Sequence, residues 1–549
     1  MELKTLLDMH YQHVQTHPDK LFLQQPKGDK LETYTWAEFD AVVRRVASGL
    51  QAMDLPKGSH IALLSKNCAE WFIADLAIMM AGHVSIPIFP TAGESTIQYV
   101  LKHAQCPVVF VGKLDDPEPQ LAAIPDDIKT IGFPYPGCDT QISWEQMCQN
   151  PAVEGEFRPA LDDIMTIIYT SGSTGSPKGV VHTYGSICWA AQSSLKALTV
   201  NGDDRIVSYL PLAHITERVL VEAAAYFSGM QISFIESLDT FTRDVKQAQP
   251  TLFISVPRLW TRFQMGILAK MPQKKLNFLL AIPFVGKAVA RKIRQQLGLD
   301  KARLWASGSA PISPATIEWF HRIGINISEG WGMTENSAYG TGSVPFRVDK
   351  IGSIGRPYEG VDIRISDEGE IQVKAPCNMK EYYLEPEKTA EVFTDDGYLR
   401  TGDKGEIDAE GYVRITGRLK DIFKTAKGKY VTPVPIEAKI MENAIIEQVC
   451  VTGSNLKQPI ALLVLAEETR NKAKDELHQS LQNTLTAVND SLESHQVLDH
   501  FIVMSEPWTI ENDLLTPTLK VKRHILEDRF ADVINQKHDQ PVVWLTASS

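Results

Sequence analysis

Apolar residues in the first third of the chain recur in two rhythms. Phe39, Val42, Val43, Val46 and Leu50 follow a helical spacing, which gives that segment one apolar face. Thr35-Trp-Ala-Glu38 precedes it as a capping box, in which the threonine hydroxyl and the glutamate carboxylate each satisfy a free backbone N–H. HIALLS (60–65), VSIPIF (84–89) and PVVFVG (107–112) are short apolar runs that predict buried strands, with a helix over 70–81 between the first two. MTIIYT (165–170), RIVSYLP (205–211), QISFI (231–235) and TLFISVP (251–257) continue the alternation. Helices alternating with apolar strands predict an α/β fold with a parallel sheet covered on both faces.

From residue 360 the texture changes. VDIRIS, GEIQVK, GEID and GYVRIT alternate apolar and polar positions and are joined by Asp-Glu-Gly, Asp-Asp-Gly and Ala-Glu-Gly turns, which is antiparallel hairpin chemistry. Beyond that the chain returns to mixed α and β, with a polar helical stretch over 467–495. A chain of 549 residues exceeds what one hydrophobic core supports. GYVRITGRLKDIF runs from strand into a charged link, which predicts a boundary there and two domains, 1–419 and 420–549.

Composition narrows the class. With 44% hydrophobic and 22% charged residues, the chain has the make-up of a folded, enzyme-sized body. Its net charge of −12 carries no long basic block, so no nucleic-acid footprint is visible. Seven scattered cysteines without a C-x-x-C pair argue against a disulfide framework or zinc knuckle and fit a reducing cytoplasm. MELKTLLDMHYQHV lacks the apolar run and cleavage site of a secretory signal. The longest apolar stretches, 72–90 and 276–290, are broken by charges, glycine and proline, short of the ~20 apolar residues a membrane span needs. KKLNFLLAIPFVGKAVARKIR (274–294) is apolar in its middle and basic at both ends. It reads first as a buried helix with solvated ends, and second as a peripheral surface for anionic lipid.

The densest chemistry lies in YTSGSTGSPKGVVHTY (169–184), directly after a predicted strand. A loop leaving the carboxyl end of a parallel strand sits where open α/β sheets bind ligands. Glycines let backbone N–H groups converge on an anion, and the loop's hydroxyls add donors. Lys178 adds a compact positive charge. Pro177 precedes that lysine and Gly179 follows it, so the spelling is not the Walker G-x-x-x-x-G-K-[ST] loop.

TSGSTGSPKGV resembles the signature of the adenylate-forming (AMP-binding) enzymes, the acyl-CoA synthetases, peptide-synthetase adenylation domains and luciferases. Further motifs follow in that family's order: LPLAHITERV (210–219), SGSAP (307–311), GWGMTEN (330–336), GYLRTGDKGEID (397–408), GRLKDIFKTAKGKYVTPVPIE (417–437) and TPTLK (516–520). TERV, IFKTAKGKYVTP and LLTPTLKVKR are most similar to the long-chain fatty acyl-CoA synthetase branch. The resemblance implies a large N-terminal domain of two αβ subdomains plus a β-barrel, followed by a small mobile α+β C-terminal domain. It also implies an ATP/AMP site made by Thr170, Ser171, Gly172, Ser173, Thr174, Gly175 and Lys178, with Gly308, Ser309, Ala310 and Pro311 on the adenine. Glu329, Gly330, Trp331, Gly332 and Thr334 continue that site, and Asp403 and Arg418 hold ribose or phosphate. Lys520 is the catalytic lysine by motif, acting with Thr334 and Glu335, while Thr170 and Glu335 would hold Mg²⁺. Lys420 is placed as the hinge, and Lys427, Gly428 and Lys429 as the loop that reaches the acyl and coenzyme A channel after a domain rotation. His214 either lines that channel or is a hydrogen-bonded core histidine. Two positions depart from the family pattern: Trp331 replaces a tyrosine, and Thr518-Leu519 replaces Ser-Gly before the lysine.

The implied reaction activates a fatty acid with ATP as acyl-AMP, releases pyrophosphate, and passes the acyl group to coenzyme A. Alternatives are an acyl carrier protein as acceptor, a non-fatty acid as substrate, a phosphoryl-transferring NTPase or kinase, and a nucleotide-binding protein without activity. The failed Walker spelling weighs against the third, and the presence of both Glu335 and Lys520 against the fourth.

Overall fold

The computed structural model describes residues 3–170, 177–469, 472–516 and 519–545. Two large sheets make up most of the N-terminal domain. The first has eight strands in the order Glu381–Tyr382, Lys178–Thr183, Ile164–Thr170, Val84–Ile88, His60–Leu64, Val108–Val111, Lys129–Gly132 and Ile142–Ser143. The second has nine: Arg356–Pro357, Thr341–Gly342, Ile327–Trp331, Leu304–Ser307, Leu252–Ser255, Arg205–Ser208, Gln231–Phe234, Leu21–Lys27 and Lys30–Thr35. Their centres are parallel, as the alternating pattern predicts, but one edge of the first sheet and both margins of the second are not. Lys178–Thr183 returns antiparallel along Ile164–Thr170, and three short strands pair antiparallel at the margins of the second sheet. The strands on either side of the glycine-rich loop thus pair with each other, with Lys178 directly opposite Thr170, and the second of them precedes the helix Tyr184–Leu198. Ser171, Gly172, Ser173, Thr174 and Gly175 lie outside the described residues.

Between the sheets lies the helix Ala69–Met80, buried along its whole length and apolar all round apart from Glu70 and Asp75. The amphipathic helix Trp36–Gln51 packs beside it through Phe39, Val43, Val46 and Leu50. Its capping box is formed: Glu38 N–H donates to the Thr35 hydroxyl at 3.2 Å, and Thr35 N–H to the Glu38 carboxylate at 2.8 Å. One ionic cluster is sealed in the same core. Arg218 Nη1 lies 2.6 Å from Asp75 on that central helix and 2.8 Å from Glu222, and all three side chains are buried. Burial is also the main force pushing the Glu222 carboxyl up from its usual range.

An antiparallel sheet of four strands, Asp362–Ile365, Glu370–Lys374, Leu399–Ile407 and Val413–Arg418, forms the barrel portion as an open half-barrel. GEID is the end of the nine-residue strand Leu399–Ile407 rather than a strand of its own. The C-terminal domain is smaller. It has the hairpin Phe423–Lys424 and Tyr430–Val431, then a sheet of Ile446–Thr452, Ile460–Leu465, Phe501–Val503 and Val542–Trp544 packed on the helices Pro433–Ile440 and Lys474–Asn489.

Residues 274–294 depart from the buried-helix expectation. They fall into two helices, Gln273–Ala281 and Val285–Leu297, broken at Pro283 and Phe284, and only one side of each is buried. None of the described helices is long and apolar enough to cross a membrane.

Candidate active site

One small core cluster explains where the chemistry sits. Val180 from the first sheet, Trp331 from the second and Ile371, Val373, Leu399 and Val413 from the four-stranded sheet pack together. The carboxyl ends of the central strands thus meet the open barrel along one seam. Open α/β sheets leave their binding crevice at such ends.

Thr334 and Glu335 begin a one-turn 3-10 helix, Thr334–Asn336, directly after the strand Ile327–Trp331. The turn that follows is tight, with Ser337 and Ala338 both at positive φ, 55° and 54°. Gly332 lies against that turn, where a Cβ would come within 2.5 Å of the Ala338 carbonyl carbon. His182 holds the turn from the other sheet. Its Nε2–H donates to the Thr334 carbonyl at 2.8 Å, since a carbonyl can only accept. Burial lowers the His182 pKa to about 4, so the ring is neutral near pH 7. Sequence reasoning passed over this histidine. It lies four residues beyond Lys178 in a strand whose alternation showed only a buried position.

Glu335 is held by the Tyr382 hydroxyl, which donates to Oε1 at 2.8 Å. The Lys178 ammonium lies 4.7 Å from the centre of the same Tyr382 ring, in cation–π range. Lys178 and Glu335 thus flank one aromatic ring carried by an edge strand of the first sheet. That ring, like His182, carried no sequence signal.

Asp403 sits in the strand Leu399–Ile407, opposite Arg418 in register, and the Arg418 Nε meets its Oδ1 at 2.9 Å. Oδ2 accepts the Trp331 indole N–H at 3.0 Å. The departure from tyrosine at Trp331 therefore removes a hydroxyl and supplies a different donor. Gly308, Ser309, Ala310 and Pro311 follow the strand Leu304–Ser307, whose register pairs Ser307 with Glu329 on the adjoining strand. Ser309 turns that loop at φ 66°. Gly330 is close by, its carbonyl 3.2 Å from where a Cβ on Gly308 would lie. Burial pushes the Glu329 carboxyl up to about 8, against the Gly352 N–H and Arg414.

Lys520 reaches this seam from the C-terminal domain. Its N–H donates to the Thr516 hydroxyl at 3.0 Å and its carbonyl accepts the Thr516 N–H at 2.8 Å, closing a small loop. Leu519 takes φ 60° in that loop, so the substitution of a non-glycine residue keeps a left-handed turn at a steric cost. Pro517 and Thr518 lie outside the described residues. The Lys520 side chain is open to water in the cleft but closely surrounded by protein. That surrounding lowers its pKa and so does Arg418, while Asp403 and Glu335 act in the opposite sense. His214 shares this environment. Its Nδ1 accepts the Thr216 N–H at 3.2 Å as a helix cap, and burial followed by the Lys520 charge lowers its pKa to about 4. It is thus a capping histidine and a neighbour of Lys520 at once.

Two expected elements stand apart from this group. Lys420 is exposed on the single turn Leu419–Asp421. Lys427, Gly428 and Lys429 form the exposed turn of the hairpin at 423–431, where the Lys427 ammonium donates to Gln458 at 3.2 Å. Among the described residues, no cluster of three or more His, Cys, Asp or Glu side chains offers a complete metal cage. A single carboxylate, Glu335, with the Thr170 hydroxyl suits Mg²⁺, which takes most of its ligands from substrate phosphates and water.

The chain matches the family model described as AMP-binding enzyme over residues 11–383, and the AMP-binding enzyme C-terminal domain over 420–541. It is 28% identical to the peroxisomal long chain acyl-CoA synthetase 6 of Arabidopsis thaliana, over 92% of this chain and 81% of that one. It is also 28% identical to the long-chain-fatty-acid–CoA ligase FadD15 of Mycobacterium bovis, over 96% of both. Its fold matches that of an anthranilate CoA ligase in complex with anthranoyl-AMP, with a TM-score of 0.80 and 20% identity over 97% of this chain and 98% of the other. On these matches, and on a mixed α/β fold with a large and a small domain, the chain belongs to the AMP-binding, adenylate-forming enzyme family.

Proposed function

We propose that the protein is an AMP-forming fatty acid–CoA ligase acting on long chains. The observation that carries the adenylating part is that Lys520 comes within electrostatic range of Glu335, Asp403 and Arg418, three residues placed at one seam by the fold. The long-chain part rests on the motifs TERV and LLTPTLKVKR and on relatives named as long-chain ligases.

In the first step a carboxylate oxygen of the fatty acid attacks the α-phosphorus of ATP. A P–O bond forms to the acyl oxygen, the bond to the bridging oxygen breaks, and pyrophosphate leaves with that electron pair. Charge spread over the phosphoryl oxygens makes this a matter of positioning and fixed positive charge. Lys520 supplies that charge beside Thr334, Lys178 and the loop 171–176 hold the outgoing phosphates, and Asp403 with Arg418 fixes the ribose. Mg²⁺ held on Glu335 and Thr170 would neutralise phosphate charge. His182 positions Thr334, and Tyr382 positions Glu335.

In the second step the thiolate of coenzyme A attacks the acyl carbonyl, and AMP departs with the former carboxylate oxygen. Lys520 occupies the face that the thiol needs, so a rotation of the C-terminal domain about Lys420 withdraws it and brings in Lys427, Gly428 and Lys429. The domain limits 1–419 and 420–549 follow from that hinge.

The decisive experiment is acid-dependent pyrophosphate release across acids from acetate to oleate, with and without coenzyme A. Release that peaks with long chains, and acyl-CoA as product, is expected. A peak with aromatic or short acids would overturn the long-chain reading. Thioester formed only on a carrier protein would overturn the coenzyme A reading, and ADP as product would overturn adenylation itself.

A further inference from the structure

The three helices Pro257–Lys270, Gln273–Ala281 and Val285–Leu297 lie between two strands of the nine-stranded sheet. From Pro257 to Leu297 the sequence holds nine lysines and arginines and not one aspartate or glutamate, in a chain whose net charge is −12. The last two helices form a hairpin anchored at its base. Leu276, Ala290 and Ile293 are buried, the Trp319 indole donates to Gln273 at 2.8 Å, and Arg322 donates to Asn277 at 2.6 Å. Gly286 lets the two helices close tightly, since a Cβ there would sit 2.5 Å from the Leu280 carbonyl oxygen.

The far end of the hairpin is built differently. Val285 N–H donates to the Pro283 carbonyl at 2.8 Å across Phe284, whose φ of 62° and ψ of −42° make a γ-turn of the rare, strained hand. A bulky aromatic residue seldom takes positive φ. Here that conformation presents the ring to solvent: Phe284 is 86% exposed, with Phe278 at 67% and Val285 at 42%. Lys274 and Lys275 at the start of the first helix, and Lys287, Arg291 and Lys292 on the second, are exposed on the same hairpin.

We infer that this hairpin tip is a docking surface for anionic lipid bilayers, with Phe284 and Phe278 entering the interface and the hairpin's cations meeting lipid headgroups. Apolar residues accompanied by Lys and Arg are the pattern of segments that lie in a membrane interface. The charge argues against this surface pairing with its own copy on a second chain, because two acid-free cationic surfaces repel. The protruding turn also offers a wedge rather than a groove for a peptide. The inference stands apart from the catalytic reading, since binding needs neither ATP nor acid.

The test is co-sedimentation of the full chain with phosphatidylcholine vesicles, with and without phosphatidylglycerol. The protein is expected to sediment with the phosphatidylglycerol vesicles and to be released by salt. Phe284→Ser, and separately Lys274→Glu with Lys275→Glu, are expected to weaken that binding by about tenfold or more. Unchanged melting temperature would show that each variant is folded, and Lys301→Glu, beyond the hairpin, serves as the charge control. The proposal is overturned by equal sedimentation of wild type and variants, by binding that ignores phosphatidylglycerol, or by no binding at all. A concentration-dependent dimer lost in Phe284→Ser, without vesicle binding, would overturn it in favour of self-association.

Discussion

The Trp331 indole N–H and the Arg418 guanidinium grip opposite oxygens of Asp403, at 3.0 Å and 2.9 Å. Two strands from different sheets thereby fix one carboxylate before any nucleotide arrives. Hydrogen bonds to charged groups contribute about 1.5–3 kcal/mol, so Trp331→Phe should lower kcat/KM for ATP by roughly 10- to 100-fold. The same variant should shrink the preference for ATP over its 2′-deoxy analogue, because a loosened Asp403 discriminates ribose hydroxyls less. Steady-state kinetics with both nucleotides checks this, and an unchanged ratio would remove Trp331 from the positioning of Asp403.

Lys520 lies among Arg418, Asp403 and Glu335, on the side of the cleft where adenylation is proposed. Lys520→Ala should slow acyl-AMP formation by ~10²–10³ and leave thioester formation from supplied acyl-AMP nearly intact. Lys420→Pro, which stiffens the proposed hinge, should do the reverse. Single-turnover assays of each half-reaction separate the two, and equal loss of both steps in either variant would contradict domain alternation.

Glu217 is buried, accepts from the Ser208 hydroxyl at 2.7 Å and the Asn67 amide at 3.2 Å, and burial lifts its pKa to about 8 from 4.5. The folded chain therefore keeps a proton that the unfolded chain has lost between those values. This contribution to stability is full below pH 4.5 and is lost as pH rises towards 8, by up to about 1.4 kcal/mol per pH unit. Glu217→Gln keeps a neutral side chain of the same shape and should flatten that part of the curve. Denaturant midpoints of both proteins from pH 5 to pH 8 give the comparison.

Arg218 compensates two buried carboxylates, on Asp75 and Glu222. Arg218→Met leaves buried negative charge without a partner and should destabilise the fold by about 3–5 kcal/mol. Replacing the whole cluster, with Asp75→Leu and Glu222→Leu added, should recover most of that loss. Urea unfolding of the single and triple variants decides it, and a triple variant no more stable than Arg218→Met would mean the cluster contributes more than charge compensation.

The sequence determined the strands, the capped helix at 36–51, the hairpin texture after residue 360 and the order of the motifs, because each depends on neighbours a few positions apart. It also named Thr334, Glu335, Asp403, Arg418 and Lys520 by motif. What it left undecided depends on contacts between segments far apart in the chain. His182 reaches Thr334 across 152 positions, Tyr382 reaches Glu335 across 47, and Trp331 reaches Asp403 across 72. No local pattern encodes those distances, and for the same reason the sequence leaves both roles of His214 open. The stretch at 274–294 makes the same point from the other side: its composition fits a buried helix as well as a surface one. Only the packing of Gln273–Ala281 and Val285–Leu297 on one flank of the nine-stranded sheet decided that its phenylalanines face water.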